Sequence, residues 1–112
     1  MGTPARDLHT IIGDIKFNTE TLNKIADGMQ ECVDKNLPAN QFNQITIIGC
    51  EAEKKGAELM REFNEAMDST NMNSVNSETL GMYMYFLSMH GKAHENVCNK
   101  LEEIFHLQKE NE

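Results

Sequence analysis

The sequence has little positive charge, no tryptophan and no long apolar run. It carries 10 Lys and Arg against 18 Asp and Glu, which gives a formal net charge of −8. A general nucleic-acid binder needs a basic face that displaces counterions from phosphates, so this balance argues against direct nucleic-acid binding. No apolar stretch approaches the roughly 20 residues of a membrane span, and we expect no membrane insertion.

Cysteine is scarce as well. Cys32, Cys50 and Cys98 are odd in number and widely spaced, and no C-x-x-C pair is present. Disulfide scaffolds normally carry even numbers of closely spaced cysteines, so we predict free thiols and a cytoplasmic location. The 112 residues fit one domain covering residues 1–112.

Apolar residues recur three and four positions apart in three stretches, which is the period of amphipathic helices. The predicted helices span residues 4–34, 38–68 and 77–109. Thr3 is the predicted N-cap of the first helix and Pro4 its first residue, because proline has no N–H to leave unpaired there. Pro38 separates the first two helices, and Ser77 is the predicted N-cap of the third.

The short connection between the first two helices favours antiparallel neighbours. The fold class expected is therefore all-α: an elongated antiparallel three-helix bundle, alone or completed to a larger bundle by dimerisation. Residues 45–48 and 82–86 also have strand character. An α+β arrangement with a hairpin is the alternative.

The second predicted helix carries a stripe of small residues, Gly49, Ala52 and Gly56. Folding the chain at the loop before residue 77 places this stripe opposite the stretch from His90 to Val97. Glycine inside a helix costs about 0.5–1 kcal/mol relative to alanine, so close helix packing should compensate. The simplest interpretation is that imidazole rings occupy the space beside the glycines.

A metal site is a second interpretation of the same region. His90 and His94 are four residues apart on one helical face, Cys98 is one turn further, and the register brings Cys50 near His94. Two imidazoles and two thiolates suit tetrahedral zinc, although a close pair of cysteines is lacking. No other cofactor is expected, and a metal- or pH-responsive bundle is kept as an alternative function.

The first half of the third helix is apolar on more than one face. Its three-four spacing predicts these core positions: Leu80, Tyr83, Leu87, His90, His94, Val97, Leu101, Ile104 and Gln108. Beside them, Met82, Phe86 and Met89 recur at i, i+4 and i+7, with Tyr85 next to them. Phe17 and Ile47 likewise lie off the core positions of their helices. Surplus apolar area of this kind is typical of an interface, and methionine and aromatic side chains adapt well to protein surfaces.

No nucleophile elbow, phosphate-cradling glycine loop or pair of catalytic carboxylates is found, so no enzymatic activity is expected. The prediction is a protein-binding module, acting as an adaptor, chaperone or inhibitor with a regulatory role. We expect it to be a homodimer and its partner to be basic. The acidic excess is shared equally by segments 4–34, 38–68 and 77–112, each with three basic and six acidic residues. An acidic mimic of nucleic acid is a further alternative.

Overall fold

The computed structural model describes residues 7–110, apart from the side chains of Met72 and Gln108. Its elements are α1 (Leu8–Asp34), α2 (Ala39–Ser69), a 3₁₀ turn (Met72–Ser74) and α3 (Ser77–Glu110). No strand occurs within the described part of the chain, so the predicted all-α class is confirmed. The α+β alternative is wrong, because residues 45–48 lie inside α2 and residues 82–86 inside α3. The 3.6-residue apolar period outweighs local strand propensity in both segments.

Helix α1 begins later than the sequence predicted. Asp7 has an extended backbone (φ −76°, ψ 161°), and its Oδ1 accepts a hydrogen bond from the Thr10 N–H at 2.8 Å. Hydrogen bonds from Thr10 lower the pKa of the Asp7 carboxyl, because they favour its ionised form. The predicted cap at residues 3–4 lies outside the described residues.

The turn between α1 and α2 is closed by a left-handed residue. Asn36 has φ 51°, a conformation that asparagine tolerates better than other side-chain-bearing residues. This conformation lets the Leu37 N–H donate to the Cys32 carbonyl at 3.1 Å, so a free carbonyl of the last helical turn gains a partner. The chain then reverses direction, as the short loop predicted.

Helix α3 is capped one residue before the predicted position. The Asn76 side chain, rather than that of Ser77, accepts a hydrogen bond from the Thr79 N–H, at 2.8 Å. Asparagine and serine are similarly good N-caps, so residue preference alone does not decide whether Asn76 or Ser77 caps the helix.

Helix α1 packs along both other helices, while α2 and α3 contact each other over a much shorter stretch. The molecule is elongated, with principal extents of 56 × 33 × 17 Å. An elongated antiparallel three-helix bundle is therefore confirmed, and dimerisation stays a prediction.

The core consists of two apolar clusters arranged along the bundle. The first cluster lies where α1 begins and comprises Leu8, Ile11, Ile12, Ile15, Leu59, Phe63, Ala66 and Tyr83. The second cluster lies toward the other end and comprises Leu22, Ile25, Ala26, Met29, Ala52, Ala93, Val97 and Ile104. Burying one large aliphatic side chain contributes roughly 1.5–3 kcal/mol, so both clusters are substantial.

The buried face of α3 is rotated slightly from the predicted one. Ala93 is buried and His94 is exposed, whereas the three-four spacing had placed His94 at a core position. Tyr83, His90 and Val97 are buried as predicted. The rotation turns His94 from the core toward the edge of α2.

Candidate functional site

The four predicted interface residues form one apolar surface on α3, which we call the methionine face: Met82, Tyr85, Phe86 and Met89. Met82 is 39% exposed and Tyr85 61% exposed, whereas Phe86 and Met89 are half-buried. Phe86 packs against the first core cluster and contacts the Tyr85 ring edge to face, with 5.7 Å between centroids. The Lys16 ammonium of α1 lies 5.4 Å from the centre of the Phe86 ring. In the methionine face, Phe86 is therefore held against the core, whereas Met82 and Tyr85 are open to solvent.

A second apolar surface lies between α1 and α2. Phe17 is 71% exposed there, and Ile48 of α2 is also exposed. Phe17 and Ile48 line an open cleft of about 420 Å³, whose floor includes Ala52 and Leu59. Ile47 is exposed as well, but it is not among the residues that line this cleft. The sequence pattern had marked Phe17 and Ile47 as lying off the core positions, but it had not marked Ile48.

The three helices meet at a buried polar junction formed by Asn18, Gly56 and His90. Asn18 Nδ2 donates to the Ala52 carbonyl at 3.2 Å, and Asn18 Oδ1 lies 2.7 Å from His90 Nε2. Because the Asn18 amide nitrogen is used as a donor, its oxygen is the acceptor and His90 Nε2 carries the proton. The imidazole thus occupies the space beside Gly56, as the packing interpretation predicted.

Burial lowers the pKa of His90, with the Glu53 carboxylate opposing this shift and His94 adding to it. A neutral imidazole is therefore favoured at the junction, because a buried charge without a paired counter-ion is costly. His90 Nε2 is directed at Asn18 rather than at the other predicted zinc ligands. His90 therefore does not come together with His94 and Cys98 as the predicted zinc site requires.

Three side chains with metal-binding atoms converge at the edge between α2 and α3, and we call them the edge triad: Glu53, His94 and Cys98. Their ligand atoms lie within 4.8 Å of one another. Glu53 Oε2 pairs with His94 Nδ1, while Cys98 Sγ lies 3.7 Å from His94 Nε2 and 4.0 Å from Glu53 Oε1. His94 and Cys98 are exposed, and Glu53 is mostly buried.

All three cysteines are free thiols, Cys32 buried and Cys50 and Cys98 exposed. Partial desolvation raises the pKa of the Cys98 thiol, and the neighbouring Glu53 carboxylate raises it further. Both effects disfavour a free thiolate, so a metal ion bound at Cys98 would have to displace the thiol proton. Cys50 is not among the three residues whose ligand atoms come together.

Sequence reasoning placed His94 and Cys98 correctly side by side but missed Glu53. The predicted register could have identified Glu53, because it sets the stripe from Gly49 to Gly56 opposite residues 90–97. A Cβ at Gly49 would lie 3.9 Å from Val97, and one at Gly56 would lie 3.1 Å from His90, so this register is the observed one. Position 53 lies midway along the stripe and therefore faces residue 94.

The described helices include none that is both long enough and apolar enough to cross a lipid bilayer. No protein-family model, curated protein or solved structure matches this chain.

Proposed function

We propose that the protein is a non-enzymatic protein-binding module that acts through the methionine face. The observation that carries this proposal is the surplus of apolar side chains on α3. Tyr83 already fills the core position of this turn, yet Met82 and Tyr85 beside it remain exposed. Exposed apolar area of this kind is a common mark of protein interfaces.

The build of the face suits adaptable recognition. Phe86 is held against the core, so the surface has a fixed aromatic base. Met82 and Met89 carry flexible thioethers, which fit irregular partner surfaces, and Tyr85 combines a large ring with a polar hydroxyl. A partner helix laid along α3 would meet residues one turn apart, which is the usual mode of helix-face recognition.

The expected partner is another protein with a basic surface, because the net charge of −8 favours its approach. A second copy of the chain is the other occupant that we expect, in which case the protein is a homodimer. Free thiols fit a reducing compartment such as the cytoplasm. Whether the module serves as an adaptor, a chaperone or an inhibitor depends on its partner.

The test compares two exposed aromatic residues on different surfaces. Tyr85→Glu places a charge on the methionine face, and Phe17→Glu places the same charge in the cleft between α1 and α2. Both side chains are mostly exposed, so both variants should fold, which circular dichroism checks. Phe86→Glu is unsuitable because Phe86 packs on the core.

Light scattering over a range of concentrations first gives the oligomeric state. If the wild type is dimeric, Tyr85→Glu should yield monomers and Phe17→Glu should not. If it is monomeric, both variants serve as bait in quantitative affinity capture. The partner should then be lost with Tyr85→Glu and kept with Phe17→Glu. A result in which Tyr85→Glu changes neither self-association nor capture contradicts the proposal.

A further inference from the structure

The edge triad joins two helices through three different donor atoms. His94 and Cys98 are one turn apart on α3, so they lie on the same face, and Glu53 reaches them from α2. Gly56, three residues beyond Glu53, gives α3 room to lie close to α2 here, because a Cβ at position 56 would lie 3.1 Å from His90 Nε2.

The distance between the sulfur and the imidazole nitrogens is close to that of a tetrahedral metal centre. Zinc bonds of ~2.3 Å to sulfur and ~2.0–2.1 Å to nitrogen imply a sulfur–nitrogen separation of about 3.6 Å at a tetrahedral angle. Cys98 Sγ lies 3.7 Å from His94 Nε2 and 3.9 Å from His94 Nδ1, close to this value for either nitrogen. Glu53 Oε1 lies 4.0 Å from Cys98 Sγ, and Glu53 Oε2 pairs with His94 Nδ1, so metal binding requires the carboxylate to leave this pairing and approach the sulfur. The two helices hold the backbone in place for this side-chain movement.

We propose that Glu53, His94 and Cys98 bind one zinc ion, with the fourth coordination position left to water or to an external ligand. The donor set selects this class of metal. Calcium and magnesium require oxygen ligands, whereas one thiolate, one imidazole and one carboxylate suit zinc. The exposure of His94 and Cys98 leaves room for the fourth ligand, so the site is an open one.

This site differs from the one the sequence suggested, since Glu53 stands in place of Cys50 and His90. It is also separate from the methionine face. Counting 100° per residue along α3, His94 and Cys98 lie on the flank beside α2, and Tyr85 lies on the opposite flank. Lys16 of α1 lies against Phe86 and Glu53 of α2 against His94, in agreement with this division.

Cobalt is the probe of choice because it replaces zinc and reports on its ligands. The whole chain is stripped of metal and titrated with Co²⁺, while absorption spectra are recorded. We expect saturation at one ion per chain, with a thiolate-to-cobalt charge-transfer band and the intense visible bands of tetrahedral cobalt. Addition of zinc should then abolish these bands. Unfolding temperature should rise with zinc concentration, because the ion binds the folded chain.

Cysteine variants identify the sulfur ligand. Cys98→Ser should remove the charge-transfer band, and the matched variant Cys50→Ser, which changes the other exposed cysteine, should keep it. His94→Gln and Glu53→Gln should each weaken cobalt binding at least about tenfold, as losses around metal sites commonly do. Tyr85→Glu should leave the titration unchanged, so failure of the interface proposal and failure of this one are distinguishable.

Two results would overturn the proposal. One is a wild-type titration with no charge-transfer band at stoichiometric cobalt. The other is an equal loss of the band in Cys50→Ser and Cys98→Ser, which would indicate nonspecific thiol binding. A purely structural Glu53–His94 ion pair predicts a change in stability in Glu53→Gln but no cobalt spectrum at all. Circular dichroism of each variant checks that the helices are intact.

Discussion

Replacing Gly56 by alanine tests the polar junction most directly. A Cβ at this position would lie 2.9 Å from Asn18 Oδ1 and 3.1 Å from His90 Nε2. Those two atoms are hydrogen-bonded to each other at 2.7 Å, and Asn18 is also tied to the Ala52 carbonyl at 3.2 Å. Neither atom can move away without stretching a buried hydrogen bond. The methyl group therefore has no flexible neighbour to displace.

The expected loss follows from opposing contributions. Alanine gains about 0.5–1 kcal/mol over glycine from helix propensity. Overpacking of a buried site costs about 1–3 kcal/mol, and a buried hydrogen bond left unmade costs about 1–3 kcal/mol. The free energy of unfolding should consequently fall by about 1–5 kcal/mol in Gly56→Ala. For a chain of this size we expect the melting temperature to fall by about 4 °C for each kcal/mol.

Other glycines of the same bundle supply the controls. A Cβ at Gly13 or Gly81 meets nothing within 4 Å, so alanine there should stabilise the protein by about 0.5–1 kcal/mol. A Cβ at Gly49 would meet the end of the flexible Met29 side chain at 2.9 Å, and its substitution should be close to neutral. Urea unfolding followed by circular dichroism measures the series. If Gly56→Ala is as stabilising as Gly13→Ala, the junction is not packed in this way and the reasoning is refuted.

Three further predictions concern the core, the first turn and the pH dependence. Leu22→Ala should lower the free energy of unfolding by about 2–5 kcal/mol in urea, because Leu22 is fully buried. Asn36→Ala should lower it by about 1 kcal/mol while Asn36→Gly should not, because φ is 51° there. Stability should fall as pH drops below 6.5, the ordinary pKa of histidine, because the unfolded chain then binds a proton that buried His90 accepts only at lower pH. Thermal melts of wild type and His90→Gln between pH ~7.5 and ~5.5 isolate the contribution of His90.

Contrary results would be informative in each case. An unchanged midpoint in Leu22→Ala would mean that the second core cluster is not formed in solution. Equal stability of the alanine and glycine variants of Asn36 would show that residue 36 does not adopt the left-handed conformation in solution. A wild-type pH slope identical to that of His90→Gln would show that His90 binds a proton equally well in the folded and the unfolded chain.

The helices and their packing could be predicted because the apolar period is regular. Buried positions of α2 follow one another three and four residues apart, at Gly49, Ala52, Gly56, Leu59 and Phe63. An uninterrupted period of this kind fixes which side of a helix faces inward. The end of α1 was also predictable, since asparagine before Leu37 and Pro38 favours a left-handed turn.

The exact rotation of α3 could not be predicted by the same means. Ala93 and His94 are adjacent, and either one completes the spacing between His90 and Val97. Periodicity does not distinguish them, because the choice depends on how closely α3 approaches α2 in three dimensions. Glu53 was overlooked for a related reason: a charged residue is expected on the solvent side unless its partner on another helix is known.

The polar junction has a consequence for how the molecule opens. Asn18 and His90 lie between the two apolar clusters, so each end of the bundle has its own hydrophobic contacts. Cooperative units in native proteins follow such contiguous contacts, and amide exchange reveals their boundaries. We therefore expect each end of this bundle to unfold partly while the other stays protected. The three helices, which run through both ends, and the hydrogen bonds at the junction then couple the two ends.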